Sequence, residues 1–265
     1  MDDIRIDIAG GVTTVTLARP AALNALTPAM HDALEAAFDA FAADPAQEIC
    51  VITGEGRAFC AGTDLKVAAA GGRRPYPAHG YAGLIERFDC PKPFIAAVNG
   101  LAMGGGFELA LACDLIIAAE SAVFALPEPL VGAVALGGGL HRLARQIGLK
   151  QAMGLILTGK RVSAAEGQRL GFVNEVVADA DLAATTRRWC AEILRCSPVS
   201  IRTSKATVMR GLDEPGLADA MQAQASYPEF IAWLASDDAR EGPRAFAEKR
   251  PPRWQGRPHS DEDQQ

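Results

Sequence analysis

The sequence predicts a mixed α/β fold, with short strands and helices alternating, followed by a helical C-terminal region. Three observations lead there. Short apolar runs at 49–53, 94–98, 115–119 and 122–126 read as buried strands. Up to residue 130 the units follow one another roughly as strand, strand, helix, which argues for a layered α/β domain rather than a helical bundle. Beyond residue 140 the periodicity becomes predominantly helical.

The elements follow in order. IRIDI (4–8) and VTTVTL (12–17) alternate polar and apolar residues around Ala9-Gly10-Gly11, a hairpin signal. Thr27 reads as an N-cap and Pro28 as the first helical residue. Met30, Leu34, Phe38 and Phe41 then recur at helical spacing until Asp44-Pro45. ICVIT (49–53) is a strand that runs into GEGRAFCAGTDLK, and residues 68–80, rich in Ala, Gly and Pro, read as a mobile loop. FIAAV (94–98), LIIAA (115–119) and AVFAL (122–126) are further strands. SAAE (163–166) reads as a capping box before a short helix, and GFVNEVV (171–177) as the last strand. Residues 181–196, 198–211 and 215–235 read as helices punctuated by Pro198 and Pro215. A boundary near 197 is expected, with 1–197 as the core and 198–265 as the helical region. The terminal SDEDQQ is polar and expected to fray.

Composition narrows the function. The 265 residues are 49% hydrophobic and 22% charged, as in a soluble globular protein, with a formal net charge of −6. That charge argues against nucleic-acid binding by bulk electrostatics. No apolar run approaches the ~18 residues that cross a membrane, and MDDIRIDIAGG is unlike a signal peptide. None of the six cysteines form CxxC, so reduced thiols and a cytoplasmic location are expected.

Several motifs turn out empty. GLILTGKR (154–161) has the P-loop glycine spacing but Arg161 where Ser or Thr is required. No G-x-G-x-x-G occurs: the series Gly104, Gly106, Leu109 and Gly137, Gly139, Arg142 both break the spacing, so no nicotinamide fingerprint is present. The four histidines (31, 79, 141 and 259) lie far apart, without HExxH or acidic pairing, and no metal site is expected. No G-x-S-x-G supplies a serine nucleophile.

Three features remain: AFCAGTDLK (58–66) with Gly62 in its turn, NGLAMGGGFELALACDL (99–115), and FALPEP (124–129) with Glu128 between two prolines. Three glycines before a helix are a poor start unless the backbone is itself used. Side-chain-free N–H groups at a helix N-terminus face negative charge, and two of them make an oxyanion hole. Glu108 and Glu128 beside such a hole can hold a water and move protons. A thioester that gains or loses an α-proton passes through an enolate that needs this arrangement.

These segments, with RPAALNAL (19–26), LTGKRVSAAEGQRLGFVNEVV (157–177) and SDDAREGPRAFAEKRPPRWQGR (236–257), resemble the crotonase (enoyl-CoA hydratase/isomerase) superfamily over most of the chain. GYAGLIERF, GGGFELAL, FALPE and EGPRAFAEKR most resemble its carnitinyl-CoA dehydratase branch. The resemblance implies a spiral of ββα units, a C-terminal helical region used for trimerisation, and a homotrimer or dimer of trimers. It implies backbone donors at Thr63 and Gly105, water handling by Glu108 and substrate proton exchange by Glu128. It implies a coenzyme A thioester as substrate, with no bound cofactor. Ala22, Leu23, Ala25, Ala61, Asp64 and Leu65 would line the coenzyme A site. Gly62, Leu101, Gly104, Pro127, Val131 and Leu136 would complete the substrate wall. Phe246 and Lys249 would reach a neighbouring subunit's ligand, within a basic cluster of Lys249, Arg250 and Arg253.

The resemblance breaks at GAVALGGGLHRL (132–143), where Ala135 replaces the usual proline and Leu136 stands where some lineages carry aspartate. Leucine there argues against dienoyl isomerisation and for an apolar acyl chain beside Leu136, Leu101 and Leu84. Three readings stay open: an enoyl-CoA hydratase or dehydratase, an isomerase using Glu128 alone, and a carnitinyl-CoA dehydratase. An RNA-binding relative is disfavoured by the net charge and the intact glutamate pair.

Overall fold

A computed structural model of the chain describes residues 3–71 and 75–256. β1 (Ile4–Ala9) and β2 (Val12–Leu17) form an antiparallel hairpin whose Gly10 and Gly11 both take positive φ, as a two-residue turn of matching twist requires. α1 (Pro28–Ala43) starts at Thr27, whose side chain accepts from the Met30 N–H at 3.3 Å. It buries Met30, Leu34, Phe38 and Phe41 against the sheet. β3 (Ile49–Gly54), β4 (Ala58–Cys60), α2 (Leu65–Gly71), β5 (Phe94–Val98), β6 (Leu101–Met103), α3 (Gly105–Ala112), β7 (Leu115–Ala119) and β8 (Val123–Ala125) follow.

The topology is a spiral. β3, β5 and β7 lie side by side and parallel in a six-stranded sheet of order β1-β2-β3-β5-β7-β10, with β10 at Glu175–Val177. Their successors β4, β6 and β8 lie in the same order in a second, four-stranded sheet closed by the antiparallel β9 (Val162–Ser163). Each turn thus gives one strand to each sheet. The chain crosses between sheets at Gly54 and Gly100, where a Cβ would collide with the carbonyls of Ala58 and Arg57. Phe59, Phe107 and Phe124 fill the main core, fully buried, and Phe107 and Phe124 also touch Phe172.

α4 (Gly139–Ile147), α5 (Leu149–Thr158), α6 (Ala164–Leu170) and α7 (Leu182–Leu194) surround the sheets. α8 (Pro198–Gly211), α9 (Leu217–Ala223), α10 (Pro228–Ala235) and α11 (Asp238–Ala247) make the C-terminal helical region. It is tied to the core by Lys205–Asp114 at 2.8 Å and Arg202–Glu48 at 3.3 Å. Among the described residues, no helix is long and apolar enough to cross a membrane.

Several expectations need correction. The predicted loop 68–80 begins as helix, because α2 continues to Gly71; residues 72–74 and the terminal SDEDQQ lie outside the described residues. Asp64 accepts from the Lys66 and Val67 N–H groups and so starts that helix. The strand predicted at 171–177 is only Glu175–Val177, since Gly171 at φ +100° caps α6. The helix predicted at 215–235 breaks before Pro228. The second sheet was largely unpredicted: β4, β6 and β9 have two or three residues each, too short for a periodicity.

Candidate active site

Each glycine of the Gly104-Gly105-Gly106 run faces a different neighbour. A Cβ on Gly106 would strike the Cys60 carbonyl, so α3 starts in contact with β4. One on Gly105 would occupy the Tyr81 ring and hydroxyl. One on Gly104 (φ +53°) would lie 2.7 Å from Glu128 Oε1. The helix start is therefore a junction of β4, the Tyr81 segment and the Glu128 turn. Close approach, more than chain flexibility, requires glycine here.

The 61–64 turn meets this junction. Gly62 has φ +88°, and a Cβ on it would lie 3.2 Å from the Gly105 nitrogen. Leu26 pairs with this turn as in a parallel ladder: its N–H donates to the Gly62 carbonyl and its carbonyl accepts from Asp64. That pattern uses the groups on either side of Thr63 and turns the Thr63 N–H the other way. Among the described residues, neither the Thr63 nor the Gly105 N–H donates to a protein acceptor. Two adjacent, unspent donors, one at a helix N-terminus, favour an oxygen that gains negative charge.

Two carboxylates border these donors. Glu108, in the first turn of α3, is 4% exposed, and its Oε1 accepts from the Gly139 N–H at 2.9 Å. Burial pushes its pKa up to about 7, and the Glu128 charge adds to this; the Gly139 and Gly137 N–H groups and Arg142 oppose the rise. Glu128 opens a 3₁₀ turn, Glu128–Val131, behind Pro127. Burial also raises its pKa, and its Oε2 is buried without a hydrogen-bond partner among the described residues. An unpartnered buried carboxylate oxygen is costly unless a ligand or water uses it.

Most of the chain resembles one family of proteins. Residues 7–257 match the family model described as enoyl-CoA hydratase/isomerase. The chain belongs to the enoyl-CoA hydratase/isomerase family. It is similar to the carnitinyl-CoA dehydratase of Proteus mirabilis (strain HI4320), 41% identical over 94% of this chain and 96% of the relative. The enzyme of that name from Salmonella enteritidis PT4 is 42% identical, with the same coverage. Among solved structures, an enoyl-CoA hydratase from Mycobacterium marinum superposes with a TM-score of 0.90 at 37% identity, covering 96% of this chain and 99% of its own. One from Geobacillus kaustophilus HTA426 superposes at 0.87 and 39% identity, covering 97% and 99%.

The structure gathers Ala61, Gly62, Thr63, Gly104, Gly105, Glu108, Pro127 and Glu128 around one junction, with Leu101 on the adjacent β6. Ala22, Leu23 and Ala25 adjoin it, since the Ala61 N–H donates to the Leu23 carbonyl. The Asp64 carboxylate is engaged by Arg19 at 3.1 Å, and Leu65 is exposed at the start of α2. Leu84 lies in the core rather than at the surface of a cleft. Val131 is exposed, and Leu136 is 81% exposed, beside Gly137. Phe246 is 87% exposed and Lys249 exposed at the end of α11; no hydrogen bond among the described residues links them to the glutamates. Arg250 does not stand open for a phosphate, because Glu241 holds it at 2.6 and 3.0 Å and Glu248 at 2.6 Å.

The sequence reading missed three groups at the site. Gly137 and Gly139 were noticed only as a broken nucleotide motif; a Cβ on either would strike the Glu108 side chain, at 2.5 and 2.9 Å. The second triple glycine was the available signal. Tyr81 carried none, because its position depends on a turn that periodicity does not describe. His79, expected without acidic partners, sits 2.7 Å from Glu35. Glu35, Asp39 and His79 could converge on a cation, but Arg87 already supplies one, 2.8 Å from Asp39.

Proposed function

We propose that this chain is an acyl-CoA hydratase/dehydratase that adds water reversibly to a 2-enoyl-CoA, giving a 3-hydroxyacyl-CoA. The observation that carries this reading is the pair of carboxylates, buried Glu108 and half-buried Glu128, both with raised pKa, beside two unspent backbone donors. The thioester oxygen lies between the Thr63 and Gly105 N–H groups. Ionised Glu108 takes a proton from water as its oxygen bonds to C3. Protonated Glu128 gives its proton to C2 on the same face, and the enolate collapses. Solvent then returns each carboxyl to its starting state. In the dehydration direction Glu128 removes the C2 proton and Glu108 protonates the departing hydroxyl.

Coenzyme A contacts fall to Ala22, Leu23, Ala25, Ala61, Asp64 and Leu65, and to Phe246 and Lys249 of a neighbouring subunit. A trimer or dimer of trimers is supported by the apolar side chains exposed on the C-terminal helices, among them Val208, Leu212, Leu217, Ile231 and Leu234. The relatives' names favour a carnitinyl-type acyl group, while exposed Leu136 favours an apolar one. Turnover of crotonyl-CoA, longer enoyl-CoAs and crotonobetainyl-CoA, with products identified by mass and NMR, tests both. Formation of 3-hydroxyacyl-CoA is expected. Migration of a 3-enoyl double bond without a hydroxylated product would replace this reading with an isomerase that uses Glu128 alone.

A further inference from the structure

We propose that Tyr81 is a positioning residue of the oxyanion hole, bracing Gly105 with its ring and Thr63 with its hydroxyl so that the two donors hold one spacing. The inference rests on the hydratase reading above, since it concerns the same hole. Its first support is the contact that excludes any side chain at Gly105: the Tyr81 ring and hydroxyl fill that volume. Its second is the approach of Thr63 Oγ1 to the Tyr81 hydroxyl at 3.4 Å. That is long for a pair of hydroxyls, and such bonds shorten when substrate draws the donors together. One side chain therefore touches both residues whose N–H groups face the oxygen.

The surroundings of Tyr81 are built to hold it. Gly80, Ala82 and Gly83 all take positive φ, at +75°, +56° and +64°, and for an alanine this is a strained state that persists only when its surroundings enforce it. The enforcing contact is His31, whose Nδ1 accepts the Ala82 N–H at 3.0 Å and whose ring meets the Tyr81 ring edge-on at 4.6 Å. Burial lowers the His31 pKa to about 4, so the ring stays a neutral acceptor at working pH. Tyr76 packs edge-on against both rings, at 5.1 and 5.4 Å. Burial also keeps the Tyr81 phenol protonated, so its hydroxyl remains uncharged beside the hole.

The experiment compares wild type, Tyr81→Phe, Thr63→Val and the double variant, with two readouts. For crotonyl-CoA hydration, each single variant should lose about five- to tenfold in kcat with KM within about twofold, the size of one neutral hydrogen bond made stronger in the transition state. The double variant should lose no more than either single one. The second readout needs no turnover: the absorption of bound cinnamoyl-CoA shifts to the red as its carbonyl is polarised, and Tyr81→Phe should shrink that shift. Thr63 is exposed, so Thr63→Val tests the contact even if Tyr81→Phe folds poorly. Wild-type kcat with a full red shift in Tyr81→Phe, or losses that multiply in the double variant, would overturn the proposal. A wild-type protein that shifts cinnamoyl-CoA but hydrates nothing would sink the hydratase reading and leave this one standing.

Discussion

The start of α3 and the Pro127–Gly132 turn each deliver one glutamate to the same junction, by different means. Glu108 rides on a helix, and its carboxylate is gripped from across the site by the Gly139 N–H. Glu128 sits on a short 3₁₀ turn, fixed by its flanking prolines, with one carboxylate oxygen lacking a protein partner. The gripped carboxylate has its orientation set; the ungripped one keeps a lone pair that no described protein group uses. Two identical side chains can then divide acid and base work because their environments differ. Breaking the grip and removing the ungripped acid should have separable consequences.

The largest effect is expected from removing the carboxyls themselves. Glu128→Gln and Glu108→Gln should each lower hydration kcat by about 10²–10⁴-fold, as for a lost acid–base group. Exchange of the α-protons of butyryl-CoA in D2O, followed by NMR, separates them. Glu108→Gln should retain exchange, since Glu128 serves C2, and Glu128→Gln should lose it. The opposite pattern would interchange the two assignments.

A smaller effect should follow from breaking the packing around each carboxylate. Gly137→Ala places a Cβ 2.5 Å from Glu108 Oε2, and Gly104→Ala places one 2.7 Å from Glu128 Oε1. Each should cost about 10–100-fold in kcat, the scale of sub-ångström misplacement of a reacting group. In α-proton exchange only Gly104→Ala should be impaired. Equal impairment in both variants would mean that the two regions move as one.

The pH profile sharpens the comparison further. In the proposed reaction, water activation needs ionised Glu108, whose pKa stands at about 7. Below that pH the carboxylate is protonated, so kcat/KM should fall about tenfold per unit, and at higher pH the ionisation of Glu128, which must carry the proton to C2, should lower the rate again. Glu108→Gln, assayed at its reduced rate, should lose this acid limb. A limb that survives the substitution belongs to another group.

How much of this was legible follows from sequence distance. Thr27, Pro28 and the Met30–Phe41 spacing specify α1 within one stretch of chain, and the structure has that helix as read. GGGFE announced a used helix start because glycines cost stability there, and FALPEP fixed the Glu128 turn through its prolines. Motif resemblance added the division of roles between Glu108 and Glu128, which lie on separate elements. What stayed hidden depends on crossings. β4, β6 and β9 pair only because the spiral stacks them, and no local pattern marks them, unlike β8 within the apolar run AVFAL. The helix at 65–71 was obscured by an Ala/Gly-rich composition that reads as loop, although Asp64 was present as its cap. Tyr81 reaches Gly105 through a turn with three positive φ values, one of them at an alanine, and residue type does not disclose that.

The smallest effect expected is on stability, and its sign differs from that on activity. Glu108 titrates at 4.5 when unperturbed and at about 7 in the folded chain, so the native state binds the extra proton between those values. Ionising Glu108 therefore destabilises the fold progressively as pH rises from 4.5 to 7, and fully above 7. Glutamine keeps an acceptor for the Gly139 N–H and carries no charge to desolvate. Glu108→Gln should thus be more stable than wild type at pH 8 by roughly 1–3 kcal/mol, allowing for relaxation around the buried charge. Calorimetry at one protein concentration should show a Tm rise of about 3–8 °C at pH 8 that vanishes near pH 4.5. A variant less stable than wild type at pH 8 would mean that the Gly137 and Gly139 donors more than offset the burial of Glu108. The gripped carboxylate would then be part of what holds the fold together, rather than a strain kept for chemistry.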